Sequence, residues 1–411
     1  MDGRAKVAGT ILSIAGFSIS ANSLPPLLTG LARRYEVDPW MFGMAFFLQY
    51  ALFTAFSLLS GRLSGRSRVT PEIILVAGMI LTGLVLPFIG AVPNFPAFLL
   101  FMALIGGCGG LVESNGTGIL STLGGGDQGR SIHVSQLFYC IGAILAPLVI
   151  GMLQARGVAD ALIGLAVGLL ALGIAIAVYG LMGIRPGKAN SGSEAGREST
   201  GKSPDEGAEV PQTRTFPWFV AAMILYVMIE VTLASWLPIY MENRYLMHPS
   251  RAAFQLTLFW VGVAAGRSIY VFLPVASPTP RLGIHGAGIL ASVLILVLFQ
   301  GLPLVTTTAV FLLGCSCGPI WPLLVILCGT RHRAKRFVFY LVAAGSFGAI
   351  LGIFCTSTVL GFLGTGSIMA VTGLYAFLFI AALAGLTLAL ARQQHGSRRA
   401  TAEAAPDPTG H

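Results

Sequence analysis

The sequence predicts an all-α membrane protein of twelve transmembrane helices in two pseudo-symmetric six-helix bundles. Three observations carry this. Apolar residues make up 55% of the 411 and charged residues only 10%, where soluble domains run near a quarter charged. The mean hydropathy is +0.81. The charges are confined to short stretches between apolar runs of about 20 residues, the length that crosses a bilayer. The same pattern excludes a water-soluble globule.

Taken in chain order, the first apolar run, 7–31, is too long for a signal-peptide core and has no small-residue cleavage site, so it remains as a helix. Runs at 41–60, 72–92, 97–123, 132–154 and 159–183 complete a first bundle over 1–184. From Arg185 the chain turns to Gly, Ser, Glu, Lys and Pro without an apolar period, so 185–216 reads as a flexible cytoplasmic linker. Runs at 217–240, 251–273, 283–300, 304–328, 337–360 and 367–390 form a second bundle over 217–391, and 392–411 reads as a disordered cytoplasmic tail. Pro25, Pro26, Pro238, Pro319 and Pro322 are expected to break or kink the first, seventh and tenth spans. All six cysteines fall within or at the ends of apolar runs and read as small buried hydrophobes. Cys315 and Cys317 have no histidine at zinc-ligand spacing, so neither a metal nor another cofactor is expected.

An even number of spans puts both termini on one side. Nineteen basic residues fall on that side and five (Arg33, Arg34, Arg156, Arg244, Arg251) on the other, which assigns the termini and the linker to the cytoplasm. The formal charge of +9 is thereby topological, and nucleic acid drops out as a partner. Local patterns recur between the halves: Gly61-Arg62 as Gly266-Arg267, Gly107-Cys108 as Gly314-Cys315, and Gly142-Ala-Ile-Leu145 as Gly348-Ala-Ile-Leu351. Their nearly constant offset indicates a parallel six-plus-six repeat.

Six plus six spans around a long linker, with a Gly- and Arg-rich loop after the second span, resemble the major facilitator superfamily along the whole chain. The family's loop motif, Gly-x-Leu-x-Asp-Arg-x-Gly-Arg, is similar to Gly61-Arg62-Leu63-Ser64-Gly65-Arg66, with Gly65 in place of the aspartate. Within the family, Leu111-Val-Glu113-Ser-Asn115, His133-Val-Ser-Gln136-Leu-Phe-Tyr-Cys-Ile-Gly142, Tyr226-Val-Met-Ile-Glu230, Trp236-Leu-Pro-Ile-Tyr240, Phe259-Trp260 and Pro319-Ile-Trp321-Pro322 resemble the fucose:proton symporter branch. That resemblance implies a proton-coupled sugar symporter. The chain departs from the branch at Asn22, where an essential aspartate is the pattern; asparagine carries no proton, so coupling would need another group.

Only Glu113, Glu230 and Arg267 are charged well inside spans, where each costs about 2.5–3.5 kcal/mol at a helix centre. Glu113 and Glu230 sit near mid-span, one in each half, and are the candidate proton-coupling residues. The other reading of either is a protonated side chain that hydrogen-bonds between helices as structural glue. Asn22, Asn115, Gln136, Tyr226, Trp260 and Trp321 are the candidate substrate-binding residues, since amides beside aromatic faces suit a sugar. For the two tryptophans, packing or interfacial anchoring is the competing role. By helical geometry Asn115 is about 200° round from Glu113, away from its face. Gly61, Arg62, Arg66, His133, Gly266 and Arg267 are the gating candidates, Arg267 counting as near the cytoplasmic end of its span.

The expectation is a secondary transporter for a small polar solute, a sugar by resemblance, working as a proton symporter by alternating access. Its setting is a bacterial inner or plasma membrane, with both termini cytoplasmic and the chain monomeric. The lipid bilayer and the solute are its partners. Asn22 with a nearby carboxylate also leaves sodium open as the coupling ion. A proton-coupled drug or metabolite exporter and a non-transporting sensor are the alternatives. The sequence has no His-Glu-x-x-His, nucleotide loop or intramembrane Asp pair, which argues against an enzyme.

Overall fold

Twelve helices long and apolar enough to cross a membrane follow one another in the computed structural model, which describes residues 3–63, 70–123, 128–182, 215–272, 278–299, 302–332 and 335–403. The first span is α1 (Gly3–Ala21) and α2 (Leu28–Tyr35), joined through a 3₁₀ turn at Pro25–Leu27. The Leu24-Pro25-Pro26 sequence removes two backbone donors in succession, so the α-helix stops and restarts. α3 (Phe42–Leu63), α4 (Pro71–Val85), α5 (Phe95–Leu123), α6 (Gln128–Ala155) and α7 (Asp160–Met182) complete the first half. α4 shows how a start is specified: Thr70 Oγ1 accepts from the Ile73 amide, Pro71 takes the first helical position, and Glu72 lies beside the positive N-terminus.

The second half runs α8 (Phe216–Tyr245), α9 (Pro249–Phe272), α10 (Pro278–Leu298), α11 (Pro303–Cys317), α12 (Ile320–Arg331), α13 (Lys335–Leu363) and α14 (Ile368–Glu403). Gly318-Pro319 splits the tenth span into α11 and α12, as expected, whereas Pro238 is carried inside α8 without ending it. α14 runs through the segment read as a disordered tail as far as Glu403, because Arg392-Gln-Gln and the later Arg-Arg-Ala are good helix formers that extend an existing helix without a new nucleus. The linker expected at 185–216 lies outside the described residues up to position 214.

Each half is built by the same contacts. α1 packs on α6 and α7 as α8 packs on α13 and α14; α3 packs on α5 as α9 packs on α11. Glycines make this possible. A Cβ on Gly106 or Gly110 of α5 would strike the Gln49 and Phe53 carbonyls of α3, and one on Gly314 or Gly318 would strike the Phe259 and Val263 carbonyls of α9. Gly142 lies against the Ala15 carbonyl of α1, and its repeat partner Gly348 against the Ile224 carbonyl of α8. A further repeat, Arg34-Tyr35 and Arg244-Tyr245, is visible only with the structure. Each tyrosine closes the first span of its half just before a residue with φ of 54°, Glu36 or Leu246. Each donates its hydroxyl to a carbonyl at the end of the third span, Tyr35 to Val92 at 3.1 Å and Tyr245 to Leu296 at 2.5 Å.

The halves meet along α6 with α9 and along α3 with α13, and the Pro25–Leu27 turn of the first half packs on α8 and α9 of the second. Large apolar side chains such as Leu100, Phe354 and Phe377 stay exposed around the outside, where lipid replaces water.

Candidate functional site: a cavity between the halves

A cavity of about 220 Å³ lies between the two bundles. The first half lines it with Phe17, Ala21, Asn22 and Pro25 of the first span, Phe46, Gln49, Tyr50, Phe53 and Thr54 of α3, Gly106 and Glu113 of α5, and Gln136 and Tyr139 of α6. The second half supplies Val227, Glu230, Val231, Ala234 and Ser235 of α8, Trp260 and Arg267 of α9, Trp321 of α12, and Val342, Gly345, Ser346 and Ala349 of α13.

Arg267 organises one side. Its Nη2 donates to Glu230 Oε1 at 3.2 Å, its Nε to the Gly318 carbonyl at 3.2 Å, and its Nη1 lies 3.2 Å from the Gln136 carbonyl, 3.3 Å from Gln136 Oε1 and 3.3 Å from Cys140 Sγ. The guanidinium is 6% exposed and the Glu230 side chain 16%, so this is a buried ion pair with its remaining donors spent on α6 and on the α11–α12 break. Glu113 has no such partner: no described residue gives it a hydrogen bond or an ion pair, and it faces the cavity within the fields of Arg267 and Glu230. Asn22 donates to the Ser18 carbonyl at 2.9 Å and lies 3.5 Å from the Tyr139 hydroxyl. Trp260 packs edge-on to Tyr139, with ring centroids 5.9 Å apart. Phe46 of the lining meets the fully buried Trp236 across the halves, ring centroids 5.5 Å apart.

The structure thus gathers Glu113, Glu230, Asn22, Gln136, Trp260 and Trp321 around one space. Two candidates fall elsewhere. Asn115 is buried on the far side of α5, donating to Ser60 Oγ of α3 at 2.5 Å and to the Leu111 carbonyl at 2.7 Å; two residues of helix turn it away from Glu113. Tyr226 is fully buried with its ring toward Phe379 of α14. The face of α8 that meets the cavity is Val227-Glu230-Val231-Ala234, and the Tyr226 hydroxyl, near Glu230 and Arg267, forms no well-aligned hydrogen bond.

Among the gating candidates, Arg267 is a cavity residue rather than one at the membrane surface. Side chains on a helix point back toward its N-terminus, and arginine is long enough to carry its charge a turn or more toward mid-membrane. Gly266 lies against the Cys315 carbonyl and serves packing. Gly61 and Arg62 lie at the end of α3 and His133 lies in α6, but the side chains of Arg62 and His133, like all of Arg66, fall outside the described residues. The sequence reading missed Gln49, Tyr50, Thr54, Tyr139, Ser235 and Ser346. Tyr139, three residues after Gln136, could have been found by its spacing, as could Tyr50 and Thr54, four apart in one span.

The lining positions repeat between the halves while their chemistry does not. With the packing contacts as register, Phe17 corresponds to Val227, Ala21 to Val231, Pro25 to Ser235, Tyr50 to Trp260, Glu113 to Trp321, Gln136 to Val342 and Tyr139 to Gly345. At the last four positions the first half presents hydrogen-bonding groups and the second presents indole rings, a methyl-bearing side chain or none.

A family model described as the Major Facilitator Superfamily matches residues 7–354. A protein of Serratia proteamaculans (strain 568) named Protein TsgA homolog is 22% identical over 290 residues, 70% of this chain and 71% of its own. Two crystal structures of a bacterial homolog to human lysosomal transporter Spinster, both inward-facing, share the fold. The unoccupied form has a TM-score of 0.64 at 13% identity, covering 96% of this chain and 97% of its own. The occupied form has 0.63 at 14% identity, covering 95% and 96%. With the family model spanning most of the chain and the fold repeated in solved structures, this multi-pass membrane protein belongs to the major facilitator superfamily, a family of transporters and not of enzymes.

Proposed function

We propose that the protein carries a small polar solute of the sugar class together with protons, by alternating access of the central cavity to the two faces of the membrane. The observation that carries the reading is Glu113, a carboxyl in the cavity without a partner. Arg267 is committed to Glu230 and to α6, so the charge on Glu113 is neutralised by whatever enters, and a proton is the smallest such species. In this reading Glu113 takes the coupling proton and Glu230 is held by Arg267.

The divided chemistry of the cavity supports a sugar. Asn22, Tyr50, Gln136 and Tyr139 offer hydrogen bonds on one side for hydroxyls, and Trp260 and Trp321 offer flat apolar faces on the other for ring carbons. Size argues against a drug exporter, since drug-sized ligands occupy pockets of about 300–1,000 Å³ and this one has about 220 Å³. The charge asymmetry of the loops orients the termini and linker to the cytoplasm of a bacterial inner membrane.

The test is uptake of labelled sugars into proteoliposomes under an inward proton gradient, for wild type, Glu113→Gln and Glu230→Gln. Gradient-driven uptake of a sugar, lost in Glu113→Gln and unchanged when potassium replaces sodium, is the expected result. Wild-type protein that is inserted and folded yet accumulates no sugar would end the sugar reading; accumulation that persists in Glu113→Gln would remove the proton from that residue.

A further inference from the structure

A sugar uses the amides and indoles of the cavity and leaves one of its walls without a role. In the first half Phe17 stacks on Phe53 with ring centroids 5.9 Å apart, and Tyr139 lies tilted against Phe17 at 6.3 Å. Trp260 of the second half continues the row, edge-on to Tyr139 at 5.9 Å. All four rings line the cavity. Phenylalanine has no hydrogen-bonding group, so the hydroxyls of a sugar find no partner at the Phe17–Phe53 end.

Glu113 stands beside this row. The Phe17 ring lies against Gly109, where a Cβ would strike it, and Gly109 is one helical turn before Glu113 on the same face of α5. Three of the lining residues are charged, Glu113, Glu230 and Arg267. Arg267 has its Nε on the Gly318 carbonyl, its Nη1 on Gln136 and its Nη2 on Glu230. With both carboxyls ionised, the cavity holds one uncompensated negative charge, on Glu113. An anionic solute finds no uncommitted cation there. A cationic solute fits, and the wall selects its kind. Hard metal cations are held by a shell of oxygen ligands. Aromatic rings instead attract a weakly hydrated ammonium, and most strongly one that has left water. The cavity, at about 220 Å³, is below the range of about 300–1,000 Å³ that takes drug-sized ligands, which limits such an ion to a small one.

We infer that the cavity is also a site for a small organic ammonium ion, held in place of the coupling proton by the Glu113 carboxylate and the Phe53–Phe17–Tyr139–Trp260 row. The inference shares the uncompensated Glu113 with the proposed function and does not depend on the sugar. Ion and proton then compete for one carboxylate, so binding of the ion strengthens as pH rises. The ionisable groups that face Glu113 are Tyr50 of α3, Tyr139 of α6, Glu230 of α8 and Arg267 of α9. Tyrosine and arginine keep their charge state between about pH 5.5 and 8, which leaves Glu230 as the group to separate from Glu113.

The experiment is equilibrium binding of radiolabelled choline, whose charge is fixed at every pH, to the purified full chain in detergent micelles. The competitor is its uncharged isostere, in which carbon replaces the ammonium nitrogen. In wild type, saturable binding at about pH 8 is expected, with the isostere about ten-fold or more weaker and choline affinity falling about five-fold or more at about pH 5.5. Glu113→Gln should weaken choline about ten-fold or more and flatten the pH response, and Trp260→Leu should weaken it about three-fold or more.

An isostere that competes as well as choline overturns the ammonium site, as does the absence of saturable binding. A pH response that survives in Glu113→Gln belongs to Glu230 and overturns the competition at Glu113, and unchanged affinity in Trp260→Leu overturns the part given to the rings. Choline binding by a protein whose vesicles accumulate no sugar would leave this site standing while the sugar reading fails. Gradient-driven sugar uptake by a protein that does not bind choline would do the reverse.

Discussion

Removing Arg267 tests whether the Glu230 pair is a true electrostatic unit or two side chains that happen to be adjacent. Arg267→Met keeps roughly the volume of the stem but leaves the Glu230 carboxylate buried without its partner and takes a donor from the Gly318 and Gln136 carbonyls. Breaking one side of a buried pair costs about 3–5 kcal/mol. Glu230→Gln is milder: Arg267 keeps its acceptors on Gly318, Gln136 and Cys140, and the new amide oxygen still receives Nη2, for a loss of about 1–2 kcal/mol. In the double variant no charge is left behind, so the loss should fall short of the two single losses together by about 2–3 kcal/mol. Unfolding free energies from SDS titration in mixed micelles, for wild type and the three variants, close the cycle. Additivity within about 0.5 kcal/mol would refute the pair as the organising contact of the cavity.

Other outcomes follow from particular contacts. Asn115→Ala should lower stability by about 1 kcal/mol through loss of the bond to Ser60 and leave the apparent affinity for the carried solute unchanged, whereas Gln136→Ala should weaken that affinity; transport kinetics on both variants separate the roles. Tyr35→Phe and Tyr245→Phe each remove one hydroxyl bond at equivalent places and should cost the same within about 0.5 kcal/mol, near 1 kcal/mol each, by the same SDS titration. Gly106→Leu and Gly314→Leu should both abolish the folded peak in size-exclusion chromatography, because each side chain would be driven into the backbone of the neighbouring helix; a monodisperse Gly314→Leu protein would contradict the packing described for α9 and α11.

Much of the fold was legible because the membrane imposes a length. Runs of about 20 apolar residues, the two proline breaks and the count of twelve follow from chemistry that acts along the chain. The site was legible only as far as cost marks it: Glu113, Glu230 and Arg267 stand out because a charge in a span is expensive wherever it points. What the chain does not carry is direction. Tyr226 and Glu230 share a face by spacing, yet α14 takes the tyrosine and the cavity takes the glutamate, since a helix buried on all sides has no single inner face. The reach of Arg267 is hidden for a related reason, because residue number locates the Cα and not the end of a long side chain, which here meets Glu230.

The internal repeat narrows this gap further than its short matches suggested. Tyr35 and Tyr245, Gly142 and Gly348, and the paired glycines that pack on α3 and α9 fix a register for the first five spans of each half, and that register carries the lining positions of one half onto those of the other. Equivalent packing places these positions in both halves while their side chains differ. At lining positions the repeat is broken, Glu113 standing against Trp321 and Gln136 against Val342, so helix contacts of the same kind are compatible with either side chain. Glu230 stands likewise against Ser20, and Arg267 against Ser57. Both differ, and both differences lie on the Arg267 cluster, so the charge of the cavity is asymmetric between two halves that share their helix contacts.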